Sequence, residues 1–181
     1  ILLSLFQSVT PRTAGFNTAD LNAMSESGQS IMILLMLIGG APGSTAGGMK
    51  VTTAAVLLAC TFSVFRNRSD ANMFSRRIPA DNIRYAAAVF IIYLVLFLFA
   101  GLVISSIEGL PVIDCLYETA SAIGTVGLTL GITPGLSSVS HVILISLMFL
   151  GRVGGLTLLY AFFGTEKTHM SHLPQEQVAV G

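Results

Sequence analysis

The chain has 181 residues, 53% hydrophobic and only 10% charged, with a mean hydropathy of +0.80. A soluble domain needs more polar surface than this, so the composition argues against a water-soluble enzyme and for a membrane protein. The formal net charge is zero, but Lys50, Arg66, Arg68, Arg76, Arg77 and Arg84 crowd between two apolar stretches. By the positive-inside rule, the window 66–84 is expected on the cytoplasmic side.

In chain order, a short apolar segment over residues 1–9 runs into the polar turn "SVTPRTAGFNTADLN". An uncharged stretch over 28–49 follows. It begins as a helix and then meets "GGAPGSTAGG" at 39–48, with five glycines and a proline. Glycine costs about 1 kcal/mol and proline about 3 per helix position, so the helix breaks there. Non-helical backbone at membrane depth survives only where protein or a water-filled cavity surrounds it. A cytoplasmic loop is the other reading, but it leaves the apolar "VTTAAVLLACTFSVF" without a clear place.

Residues 85–107 carry no charge over 23 positions and form the clearest candidate for a membrane-crossing helix. A short apolar segment at 114–123 reaches about halfway across a bilayer at about 1.5 Å per residue. The polar "GTVGLTLGITPG" follows, then a helical run over 139–163 interrupted by "GRVGG" at 151–155. Residues 165–181 read as a polar tail outside the lipid. Cys60 and Cys115 fall on opposite sides of the spanning stretch, so no disulfide between them is expected.

Special residues recur at a separation of 112: Gly15 with Gly127, Gly39 with Gly151, Gly43 with Gly155, Thr13 with Thr125, Met36 with Met148 and Thr45 with Thr157. "TAGFN" therefore has a twin in "TVGLT". Each unit reads as short apolar segment, polar glycine turn, and long helix with a glycine interruption. The counterpart of helix 85–107 in the first unit would precede Ile1. No signal peptide is legible, and the chain is expected to be part of a longer protein whose earlier units lie upstream.

A re-entrant turn rich in Thr and Gly cannot pair its own carbonyls in hydrocarbon, at a cost of several kcal/mol each. A dehydrated monovalent cation can take those carbonyls in place of water, and glycine allows the backbone angles this requires. Two such turns in register point to a pore of pseudo-symmetric units rather than to two interfacial turns. The competing chemistries are weaker. His169 and His172 stand in the polar tail without a cysteine nearby, and no nucleophile set, paired carboxylates or phosphate-binding fingerprint can be assembled. No catalytic residue is assigned. Two placements fit Glu118: low in the membrane as a negative field for cations, or at the outer water boundary.

"SVTPRTAGFNT", "GGAPGSTAGGMK", "SAIGTVGLTLGITP" and "LMFLGRVGGLTL", in this order across nearly the whole chain, resemble the Trk/Ktr/HKT superfamily of potassium transporters. The match is nearest to the membrane subunit of the bacterial Ktr systems. The resemblance implies an all-α membrane protein with helix–pore-loop–helix units around a pseudo-fourfold pore. This chain would supply an incomplete third unit (1–66), a cytoplasmic basic linker (67–84), a fourth unit (85–164) and the tail (165–181). It implies ion-binding filter segments at Thr13, Ala14, Gly15, Phe16 and Asn17 and at Thr125, Val126, Gly127, Leu128 and Thr129, whose carbonyls hold potassium. Glycine at both Gly15 and Gly127 favours potassium over sodium.

The resemblance also implies an intramembrane gate at Gly39, Gly40, Gly43, Ser44, Thr45, Gly47 and Gly48. Arg152, in the matching interruption, would face the pore and hydrogen-bond the loop carbonyls; a snorkelling position at the inner surface is the alternative. Further implications are potassium uptake across the cell membrane, sodium dependence, a homodimer and a cytoplasmic ring of nucleotide-binding regulatory subunits. No cofactor is expected on this chain, with potassium and sodium as transported or coupling ions. The lipid bilayer is an expected partner and nucleic acid is not. The span 108–114 and the filter mouths would be extracellular. The competing functional class is an alternating-access carrier for a small polar solute.

Overall fold

The computed structural model describes residues 2–68, 70–73 and 76–154. Six helices dominate it: α1 (Leu2–Val9), α2 (Glu26–Leu37), α3 (Val51–Phe65), α4 (Ala80–Glu108), α5 (Val112–Ile123) and α6 (Ser138–Val153). The end of the run expected to reach Phe163, the pairings of Gly155 and Thr157, and the tail with His169 and His172 lie outside the described residues.

α4 is 29 residues long, or about 43 Å at helical rise, more than a hydrocarbon core of about 30 Å needs. It outruns the uncharged stretch at both ends, because Asp81 and Arg84 fit a helical first turn in a headgroup layer as well as in water. Asp81 there also meets the positive end of the helix dipole. Gly109, at φ +67°, ends the helix in a left-handed cap with its N–H on the Ser105 carbonyl. One stripe of α4 (Val89, Tyr93, Phe97, Ala100, Ile104) is buried, while Ile91, Val95, Phe99 and Leu102 on the other side are exposed. A helix apolar on every face belongs in lipid, where exposed leucines cost nothing.

The short α5 is the hub. Eight of its twelve residues are buried, and it packs against α2, α4 and α6. Gly101 of α4 faces it: a Cβ there would lie 2.5 Å from Leu116 Cδ2, so the leucine would have to shift. Glu108, the last residue of α4, accepts hydrogen bonds from Ser137 N (2.9 Å) and from the hydroxyls of Ser137 (2.6 Å) and Ser140 (2.5 Å), tying α4 to the start of α6.

The apolar stretch that had no clear place is α3, which packs on α4. Ile38 and Met49 form a parallel bridge, with Gly39 N donating to Met49 O at 2.7 Å and Val51 N to Gly40 O at 3.2 Å. The chain therefore leaves α2, makes the 39–48 loop and rejoins the same course as α3. The basic linker holds a feature the sequence reading did not foresee, a two-stranded antiparallel pair, β1 (Asn72–Met73) with β2 (Arg76–Arg77). An Arg77–Asp70 ion pair at 3.0 Å accompanies it.

Candidate functional site

The second Thr-x-Gly segment is built by the end of α5. Beyond Ile123 the backbone N–H groups fold back on the helix: Gly124 N donates to Ala120 O (2.9 Å), Thr125 N to Ala122 O (3.0 Å), Val126 N to Ser121 O (2.9 Å) and Gly127 N to Ser121 Oγ (3.2 Å). Thr125 and Gly127 have φ of 52° and 89°, whereas Val126 is not in the left-handed region. Side chains alternate accordingly: Val126, Leu128 and Leu130 are buried, and Gly127 and Thr129 are exposed.

The first segment repeats the backbone pattern 112 residues earlier, with Thr13 at φ 65° and Gly15 at φ 72°. Ala14 N and Gly15 N both donate to Thr10 O, at 3.1 and 3.2 Å. Alternation of left-handed with other backbone conformations turns successive peptide dipoles toward one side. The helices that follow repeat too. Ser25 caps α2 and Ser137 caps α6, each hydroxyl accepting from the N–H three residues on, the capping device that satisfies an orphan donor.

The two segments abut. A Cβ on Gly15 would stand 2.1 Å from the Val126 carbonyl oxygen, a contact that only glycine allows. Among the described residues, the carbonyls of Thr125, Val126, Gly127, Leu128 and Thr129, and those of Thr13, Ala14, Gly15 and Asn17, accept no hydrogen bond; Phe16 O accepts from Thr10 Oγ1 at 2.6 Å. The amides at the root of each segment are committed while most carbonyls are free, the reverse of an anion-binding nest.

The 39–48 loop lies against the root of the second segment. Gly47 N donates to Thr125 Oγ1 at 3.1 Å and Gly48 N to Gly151 O at 3.2 Å. Two cations brace the loop. Arg152 Nη1 donates to the Thr45 carbonyl, and Lys50 Nζ donates to Ser44 O (3.3 Å) and Ala46 O (2.5 Å). The segments, the loop and Arg152 named from the sequence thus lie together. Gly43, at φ 83°, has nothing within 4 Å of the position a Cβ would take.

Other residues of this neighbourhood were missed or left undecided by sequence reasoning. Lys50 counted only as one of the basic residues. Glu118 is buried, at 5% exposed. It accepts from Thr129 Oγ1 (2.5 Å), Leu130 N (3.0 Å) and Thr133 Oγ1 (2.8 Å). A signal was present: an acid in an otherwise apolar short helix, with hydroxyl residues in the return loop.

The profile of the family described as "TrkH: Cation transport protein" matches residues 1–172. The chain belongs to this family. Its curated relatives include the Ktr system potassium uptake protein B of Bacillus subtilis (strain 168), 39% identical over 98% of this chain and 40% of the relative. The potassium/sodium uptake protein NtpJ of Enterococcus hirae is 37% identical over 98% of this chain and 41% of the relative. The Ktr system potassium uptake protein D of Bacillus subtilis (strain 168) is 35% identical over the whole of this chain and 40% of the relative. The chain therefore spans about two-fifths of the length of the curated relatives it matches. The family is one of cation transport proteins, not of enzymes.

Proposed function

We propose that this chain supplies two of the filter segments of a potassium uptake pore in the cell membrane, with Thr13, Ala14, Gly15, Phe16 and Asn17 in one and Thr125, Val126, Gly127, Leu128 and Thr129 in the other. The observation that carries the reading is the pair of abutting segments with left-handed Thr and Gly, committed amides and free carbonyls. Such carbonyls are costly in a dry environment unless a cation replaces water. Potassium is their ligand, in keeping with the potassium uptake of the named relatives. Sodium is taken as the coupling ion.

The loop with Gly39, Gly40, Gly43, Ser44, Thr45, Gly47 and Gly48 acts as the gate, since it closes off the root of the second segment and is latched by Arg152. The complete transporter works as a homodimer regulated by a cytoplasmic ring of nucleotide-binding subunits, on the side where the basic window 66–84 lies. The span 108–114 and the filter mouths face outward. Two segments do not enclose an axis, so the pore is completed by further units of the full-length protein.

The test is growth of an uptake-deficient bacterium at low potassium. The full-length protein carrying this chain is expected to restore growth. Gly15→Ala, present in the membrane at the normal level, should not, because its Cβ meets the Val126 carbonyl. Normal growth with that variant would remove the first segment from the pore.

A further inference from the structure

The two segments share a backbone but not a support. Behind the first, Thr10 Oγ1 donates to Phe16 O at 2.6 Å and Gln7 Nε2 to Asn17 Oδ1 at 3.5 Å, both neutral contacts. Behind the second stands a buried carboxylate. Glu118 Oε1 receives Thr129 Oγ1 and Leu130 N, and Oε2 receives Thr133 Oγ1. The brace extends further, because Gly131 N, at φ 89°, donates to Thr129 Oγ1 at 2.8 Å. The residue 112 positions before Glu118 is Phe6, which cannot replace any of these bonds.

We propose that Glu118 is a positioning residue that fixes the limb 129–133 leaving the second filter segment and thereby sets how sharply that segment discriminates potassium from sodium. The proposal rests on the filter reading of the preceding subsection. An ionised carboxylate only accepts, and all three of its partners donate, so the group matches its surroundings in number and sense. Hydrogen bonds to a charged acceptor are roughly twice as strong as neutral ones, which stiffens a limb that has no regular secondary structure before the 3-10 turn Thr133–Gly135. Among the described residues Glu118 has no basic partner.

The experiment compares potassium against sodium uptake by the intact transporter in proteoliposomes for Glu118→Ala, Glu118→Gln, Thr133→Val and Gly127→Ser. Removing one charge-assisted bond from a buried site is worth about a tenfold change. Glu118→Ala should therefore lower the potassium to sodium uptake ratio about tenfold or more. Glu118→Gln should lower the ratio less than the alanine variant does, because its amide oxygen accepts from Thr129 and Leu130 and its amide donates to Thr133 Oγ1, though without the charge. Thr133→Val, which keeps Glu118 and every segment residue but also removes the Thr133–Thr129 hydroxyl contact at 3.0 Å, should shift the ratio in the same direction as the alanine variant by a few-fold. It also carries the test if the alanine variant does not fold. An unchanged ratio in the alanine or valine variant, or a glutamine variant as poor as alanine, overturns the proposal when Gly127→Ser does reduce the ratio. An unchanged ratio in Gly127→Ser overturns the filter reading instead.

Discussion

Gly47 and Gly151 decide how closely the 39–48 loop and α6 can approach the end of α5. A Cβ at Gly151 would lie 2.0 Å from the Ile123 carbonyl, and one at Gly47 would lie 2.2 Å from Thr125 Oγ1. Neither position is simply a flexible joint; each is a place where backbone or hydroxyl occupies the space of a side chain. Gly151→Ala should destabilise by about 1–3 kcal/mol, the usual cost of overpacking, and lower the unfolding midpoint of the detergent-solubilised protein by several degrees. An unchanged midpoint would mean that α6 can slide away from the end of α5. Such residues were readable in part. Thr13 with Thr125 and Gly15 with Gly127 recur because a left-handed backbone and a close approach leave few residue types to choose from. The bonds of Glu118 were not readable, since its partners stand 11, 12 and 15 residues downstream and nothing local fixes where an irregular loop folds back.

At the scale of elements, α2, the loop and α3 form one interrupted helix whose halves are stitched by Ile38 and Met49. The break was legible from five glycines and a proline; its closure was not, because a bridge between positions eleven apart follows from tertiary packing. The same holds for the antiparallel pair in the basic linker, where "NMFSRR" carries none of the Asn-Gly or Asp-Gly turn chemistry that would announce a hairpin. If the loop is a gate, its resistance comes from the bonds of Gly47 to Thr125, Lys50 to Ser44 and Ala46, and Arg152 to Thr45. Deleting Ser44, Thr45 and Ala46 removes the three carbonyls that the two cations hold. Potassium flux through the intact transporter lacking its regulatory subunits should then rise several-fold, about what the loss of one hydrogen bond to a charged group supplies. Flux equal to the parent would exclude the loop from gating.

For the molecule as a whole, the apolar outer face of α4 and the helical economy of the rest fit a lipid solvent, where backbone groups must find partners within the protein. Among the described residues, the carbonyls of the two Thr-x-Gly segments other than Phe16 O are among those without such a partner, and the proposed function is an account of them. The twin of Leu128, which is 2% exposed, is Phe16, which is 71% exposed, so the two units share a backbone plan while differing in what covers it. Family membership agrees with the resemblance carried by four short motifs, while the spacing of 112 is what made the two segments comparable before any geometry was known. The claim that they form an ion filter is tested most directly by the potassium to sodium permeability ratio of the intact transporter with and without Gly127→Ser. A Cβ at Gly127 has nothing within 4 Å but must adopt φ of +89°, which only glycine tolerates readily. The ratio should fall by about tenfold or more, equivalent to the loss of roughly one well-placed interaction of the ion with the segment. A ratio that stays at the parent value, in protein of normal abundance and stability, would contradict the account.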